Sequence, residues 1–195
     1  MVKQRQTDTH VYFVGGTFSQ WAKSTFQAPL YPGGPILTFN CAEQYMMARK
    51  AHLFGDTATL DRIMAIQQTG YNFGEVPKAQ KIAGREVKPF DEALWDAESM
   101  PAVFAGSYFK YTQNPPMHDE LLATGDRIIV EGAHYDRIWG VGLDYADPRI
   151  EDEANWDGQN RLGRTLTELR GVFRLIQSSP HTPRRSYDPF TKTFI

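Results

Sequence analysis

Cysteine occurs once in the 195 residues, at Cys41, which excludes an intramolecular disulfide framework and fits a reducing compartment. No 18 apolar residues run together, and the polar start from Met1 to His10 lacks the apolar stretch of a secretory signal. Net charge is also scarce: 21 basic and 23 acidic residues leave only −2. Without a basic excess there is no field to hold a phosphate backbone or an anionic membrane, so any phosphate recognition must be local. A soluble cytoplasmic protein with no membrane partner is expected. His10, His52, His118, His134 and His181 show none of the short paired spacings of a zinc site. A P-loop, a dinucleotide-binding glycine fingerprint and a Gly-x-Ser-x-Gly nucleophile turn are absent as well. The sequence therefore calls for no metal and no cofactor.

What is present suffices for one well-filled core: 41% of the residues are hydrophobic. His10 to Val14 reads as a strand before the Gly15-Gly16 turn, and Ile36 to Phe39 as another after the Pro-Gly-Gly turn. Asn40 is placed to cap a helix that carries Glu43 and Lys50 and stops near Gly55. A helix over Asp56 to Gln68, closed by Gly70, follows, then one beginning at Pro77. After the break at Pro89, Glu92 to Tyr111 is helical, with Trp95, Val103, Phe104 and Phe109 as core contacts. His118 to Ala123 is a short helix, and Arg127 to Glu131 is a buried strand. Trp139 to Trp156 reads as a long functional loop. Leu162, Leu166, Leu169, Phe173 and Ile176 mark the clearest amphipathic helix. The fold class is mainly α with a few short β-strands (α+β). One domain is expected over residues 10–177, with a tail over 178–195 that Tyr187, Phe190 and Phe194 are able to pin down.

Glu43 and Lys50 stand seven residues, two helical turns, apart, so they share a face about 10 Å long. Such a pair is in most proteins solvated surface charge. Here Met46 and Met47 fall three and four residues after Glu43, so that face is expected to be partly buried. Burial favours the neutral forms of both groups. A neutral amine attacks a carbonyl-like carbon, and a protonated carboxyl donates to a leaving group.

A second constellation runs from Trp139-Gly140-Val141-Gly142 to Asn155-Trp156-Asp157-Gly158-Gln159-Asn160-Arg161-Leu162-Gly163, which leads into the amphipathic helix. Unpaired N–H groups at that helix start, with Asn160 and Arg161 beside them, suit an anion. Equally, Asp157 or Asn160 caps the helix and the glycines turn the chain. Trp139 and Trp156 are suited to stacking on a base or sugar, or to the core.

These residues resemble the NADAR family, also called YbiA-like. The likeness takes in Phe18-Ser19-Gln20-Trp21, Asn40 to Ala51 with Phe54-Gly55-Asp56, Gly84-Arg85, Leu121 to Thr124, Trp139 to Gly142, Asn160 to Gly163, and Leu169-Arg170. The resemblance implies a compact, mostly helical fold and hydrolysis of the bond between ribose C1 and a nitrogen. It implies that Lys50 forms a Schiff base with the opened sugar, that Glu43 is the acidic residue beside it, and that Asp136 is a further acid near the pocket. By the same resemblance Trp139 and Asn160 line the pocket; Trp21, Tyr45, Arg85, Gly140, Trp156 and Arg161 are the further residues expected to bind substrate.

Two substrate classes are known within that family: phosphoribosylamino-pyrimidine intermediates of riboflavin synthesis, and ADP-ribose attached to guanine in nucleic acid. Gln44 and Val141 stand where some members carry histidine and aspartate, and they match the branch with Ala-Glu-Gln-Tyr-Met and Trp-Gly-hydrophobic-Gly. The partner implied is thus a ribosylated nucleobase or ADP-ribosyl substrate, with nucleic acid as a transient carrier of the modification. The other reading is a non-catalytic module that binds ADP-ribose or a nucleotide.

Overall fold

The computed structural model describes residues 3–67, 74–178 and 186–195. The sequence expectations at Gly70, Gln68 and His181 lie outside them. Within the described residues the chain divides into two compact units. The first comprises residues 3–19, 116–178, 186 and 194–195, and the second 20–67, 74–115 and 187–193.

The first unit is built on a three-stranded sheet of β1 (Lys3–Gln6), β2 (His10–Val14) and β5 (Ile128–Glu131), in the order β1-β2-β5. β1 runs antiparallel to β2, with Lys3 opposite Val14 and Gln6 opposite Val11. β5 runs parallel to β2, His10 facing Ile128 and Phe13 facing Glu131. Val11, Tyr12, Ile129 and Val130 are all inaccessible to solvent, as expected of the central strand and its parallel neighbour. Helix α6 (Arg161–Ser178) packs on β5, and its Leu162, Leu166, Leu169 and Phe173 are buried, whereas Ile176, expected on the same stripe, is 38% exposed. Arg170, on the buried face of α6, is held by donating to Thr124 Oγ1 and to the Arg127 carbonyl, both at 2.7 Å. Helix α5 (Pro115–Ala123) starts three residues earlier than the sequence suggested.

The second unit is helical around α1 (Ala42–Leu53), against which α2 (Thr57–Ala65), α3 (Glu75–Arg85) and α4 (Glu92–Gln113) pack. A short hairpin of β3 (Phe26–Pro29) and β4 (Ile36–Phe39) lies beside it, with Phe26 opposite Phe39. Asp56 caps α2 and Asp91 caps α4, accepting from the Thr59 and Leu94 amides. At α1 the expected cap is displaced. Cys41 is the N-cap and makes no side-chain capping bond. Asn40 instead donates through its side chain to the Ile66 carbonyl at 3.1 Å and accepts from Gln80 at 2.9 Å. The short strands β6 (Tyr187–Asp188) and β7 (Thr193–Phe194) complete the chain. In the second unit Tyr187 packs on Phe104 and Tyr108, and Phe190 on Phe109. No helix of the described residues is long and apolar enough to cross a membrane.

Candidate active site

Helix α1 is enclosed on nearly all sides: Ala42 to Ala48, Lys50 and Ala51 are all buried. Its close packing has a visible cause in α3, where a Cβ on Gly84 would stand 2.1 Å from Met47 Sδ. A side chain there would have to displace Met47, so glycine suits this close approach; the next residue, Arg85, acts on Lys50 through its like charge.

Glu43, 5% exposed, lies in the first turn of α1, where the unpaired N–H groups of a helix start favour a carboxylate. Its amide donates to the Gln20 carbonyl at 3.0 Å, and its carboxylate accepts from Trp21 Nε1 at 3.2 Å. Trp21 therefore orients the acid, with Lys81 Nζ 6.0 Å from the Trp21 ring.

Lys50 is 8% exposed. Its amine stands 4.2 Å from the centroid of Phe90 and 5.6 Å from that of Trp95. Burial pushes the Lys50 pKa below its ordinary value of 10.5, and the like charge of Arg85 pushes the same way. Among the described residues no carboxylate forms an ion pair with it. An amine so placed has a larger neutral fraction than a solvated lysine, which is the state that attacks carbon.

The other residues singled out from the sequence divide between the units. Trp21, Glu43, Tyr45, Lys50 and Arg85 belong to the second unit, and Asp136, Trp139, Gly140, Trp156, Asn160 and Arg161 to the first. Tyr45 is fully enclosed among Phe26, Phe39 and Phe109. Its hydroxyl donates to the Pro29 carbonyl at 3.1 Å, and burial raises its pKa. Arg85 is exposed at the end of α3.

In the first unit the Asp136 carboxylate accepts from the amides of Ile138 and Trp139, at 3.0 and 2.8 Å. Trp139 is half-buried. A Cβ on Gly140 would stand 2.8 Å from the Glu131 carbonyl oxygen, so the strand and loop backbones touch there. Trp156 donates its indole N–H to the Ile150 carbonyl at 2.8 Å and packs on Tyr12, Val130, Val141 and Ile150. Asn160, at φ 49 and 3% exposed, donates to the Ile129 carbonyl at 3.0 Å and accepts from the Glu131 amide at 3.1 Å.

The N–H groups at the start of α6 do not face an anion. Arg161 N donates to the Ile138 carbonyl and Leu162 N to the Trp139 carbonyl, so the loop itself satisfies them. The Arg161 side chain donates to Gln159 at 2.7 Å. Among the described residues no three His, Cys, Asp or Glu side chains converge as metal ligands.

The sequence marks Trp95 as a core contact and does not single out Phe90, whereas the structure sets both at the Lys50 amine. No local signal marks them, because both lie 40 or more positions beyond Lys50 and meet it only through tertiary packing.

The chain is similar to several known proteins. The NADAR domain profile matches residues 10–174. An N-glycosidase of Acanthamoeba polyphaga mimivirus is 37% identical over 175 residues, covering 85% of this chain and 96% of its own length. A riboflavin biosynthesis protein of Vibrio vulnificus is 26% identical over 148 residues, 74% of this chain and 34% of its own. The solved structure of YbiA from E. coli superposes with a TM-score of 0.68 at 24% identity, covering 92% of this chain and 93% of that one. The last likeness establishes a shared fold, in agreement with the α+β class expected from the sequence.

Proposed function

The chain belongs to the NADAR family, and on that basis we propose that it is an N-glycosidase, a hydrolase that cleaves the bond between a ribose C1 and a base nitrogen. The observation that carries the reading is the buried amine of Lys50, lowered in pKa by burial and by Arg85 and set two helical turns from the buried acid Glu43. Breaking an N-glycosidic bond builds positive charge on the sugar and negative charge on the departing nitrogen. Glu43 supplies the proton for that nitrogen. Lys50 takes the sugar carbon, which splits the barrier, and water then frees the sugar.

The substrate is a ribose joined to a base nitrogen, either ADP-ribose on guanine in nucleic acid or a phosphoribosylamino-pyrimidine. Names of relatives, an N-glycosidase and a riboflavin biosynthesis protein, support this range. Both substrates offered side by side, with product release measured and borohydride added under turnover, test the reading. We expect release from one of them and a reduced sugar adduct on Lys50. Lys50→Ala should lower turnover roughly a thousandfold or more, and Glu43→Gln roughly a hundredfold. Full activity in Lys50→Ala with no trapped adduct would remove the Schiff base. Tight binding of ADP-ribose with no release, unchanged by Glu43→Gln, would establish the non-catalytic module instead.

A further inference from the structure

Phe90 is an unusual neighbour for a reactive amine. It lies in the segment between α3 and α4 and is 47% exposed, yet its ring is braced edge-on by Phe54 at 5.3 Å. The brace holds the ring 4.2 Å from Lys50 Nζ, and Trp95, from the first turn of α4, adds a second ring at 5.6 Å. The charged group felt by the amine from α3 is Arg85, of its own sign. Where a catalytic lysine is often paired with a carboxylate, this one meets aromatic rings.

The difference matters for the reaction. A carboxylate at this distance would stabilise the resting ammonium strongly and keep the amine protonated, out of reach of carbon. A ring attracts a cation more weakly, through its quadrupole. It therefore leaves the amine able to become neutral, and still favours any cation formed later at the same nitrogen. Differential stabilisation of the later state over the earlier one is what accelerates a step.

We propose that the ring of Phe90, assisted by Trp95, stabilises the cationic iminium formed between Lys50 Nζ and C1 of the opened ribose. The inference rests on the Schiff-base reading given above. The C1–N bond to the base breaks with its electron pair going to the base nitrogen, which takes a proton from the Glu43 carboxyl. The neutral amine then forms a C1–Nζ bond and returns a proton to the Glu43 carboxylate. Next the bond from C1 to the ring oxygen breaks, its pair going to that oxygen, which takes the proton back from Glu43. The product is C1=Nζ–H carrying one positive charge, held where the amine stood. Water adds to C1 and gives a proton to Glu43. The C1–Nζ bond then breaks as the new hydroxyl proton passes to Nζ, which leaves a free aldehyde sugar and a neutral amine.

The test replaces Phe90 by phenylalanine carrying one, two and three ring fluorines. Ring size barely changes while the attraction for cations falls with each fluorine, so a merely structural role does not respond. We expect kcat to fall stepwise, roughly tenfold across the series, with KM steady and the borohydride-trapped fraction on Lys50 falling in parallel. Phe90→Leu should match the trifluoro variant, and Phe90→Tyr should match the wild type. A flat series in an enzyme whose wild type releases base and traps an adduct overturns this inference and leaves the N-glycosidase reading standing. A rise in KM at constant kcat overturns it too, by making Phe90 a surface for binding substrate. A wild type that neither releases base nor traps sugar from either substrate takes down both.

Discussion

At Asp136, Trp156 and Asn160 polar side chains are bound to backbone groups, whereas at Lys50 a buried amine is turned toward rings. Asp136 binds two amides, Trp156 a carbonyl, and Asn160 both an amide and a carbonyl. Lys50 has Phe90 and Trp95. A buried polar group bound to backbone contributes to the fold and has little capacity left for a ligand. A buried amine without an acceptor costs stability, and such a cost is tolerated where the group has other work. The contrast separates Asp136, Trp156 and Asn160, whose polar atoms are bound to backbone, from Lys50, whose amine faces rings.

Asn160→Ala challenges the loop side of that contrast most severely. It removes two buried hydrogen bonds to the backbone of β5 and asks alanine to adopt φ 49. The expected loss is about 3 kcal/mol, from roughly 1 kcal/mol for each bond and a similar amount for the backbone. Denaturant unfolding measures it. Asn160→Gly, which keeps the backbone conformation, should recover about a third of the loss, and the folded fraction of either variant should still form the Lys50 adduct. Unchanged stability with activity gone would make Asn160 a substrate ligand and erase the distinction.

Trp156→Phe is a gentler version of the same challenge. The ring keeps its place on Tyr12, Val130, Val141 and Ile150 but no longer donates to the Ile150 carbonyl. A loss of about 1 kcal/mol is expected, with KM for either substrate unchanged. A raised KM at full stability would return Trp156 to the substrate pocket.

Local pattern carried the sequence reading a long way. β2 and β4 fall beside the glycine turns that the sequence marks, and the helices over Glu43, Asp56, Glu92 and Leu162 are present. β1 was missed because Lys3-Gln4-Arg5-Gln6 has no apolar alternation, its strand character coming from pairing with β2. β3 was missed because Phe26-Gln27-Ala28-Pro29 is four residues long and ends in proline. Asn40 had the right residue type for a cap, yet the Ile66 carbonyl and Gln80, brought in by tertiary packing, claim its amide. At the site the burial of Glu43 and Lys50 was legible from Met46 and Met47, both also buried. The rings at the amine were not, since nothing in spacing ties Phe90 to a residue 40 positions earlier.

Lys50→Met is expected to change stability least, and in the opposite direction. The native pKa of Lys50 lies below 10.5 because burial, and then Arg85, disfavour its charged form. Between the native value and 10.5 the unfolded chain therefore binds more protons than the folded one, and stability rises with pH across that interval. Below the native value the whole penalty is present, and above 10.5 it is gone. Methionine has no charge to desolvate, and its thioether packs acceptably against Phe90 and Trp95. The variant should melt slightly higher than the wild type at neutral pH, by less than the Trp156→Phe loss, and the two curves should converge as pH rises past 10.5. Turnover in the wild type should rise over the same interval as the amine becomes neutral, with an apparent pKa below 10.5 that Arg85→Ala moves upward. A variant less stable than the wild type at neutral pH would mean that the rings hold the ammonium more strongly than burial opposes it, and the amine would then be a structural cation like the bound groups of the loop.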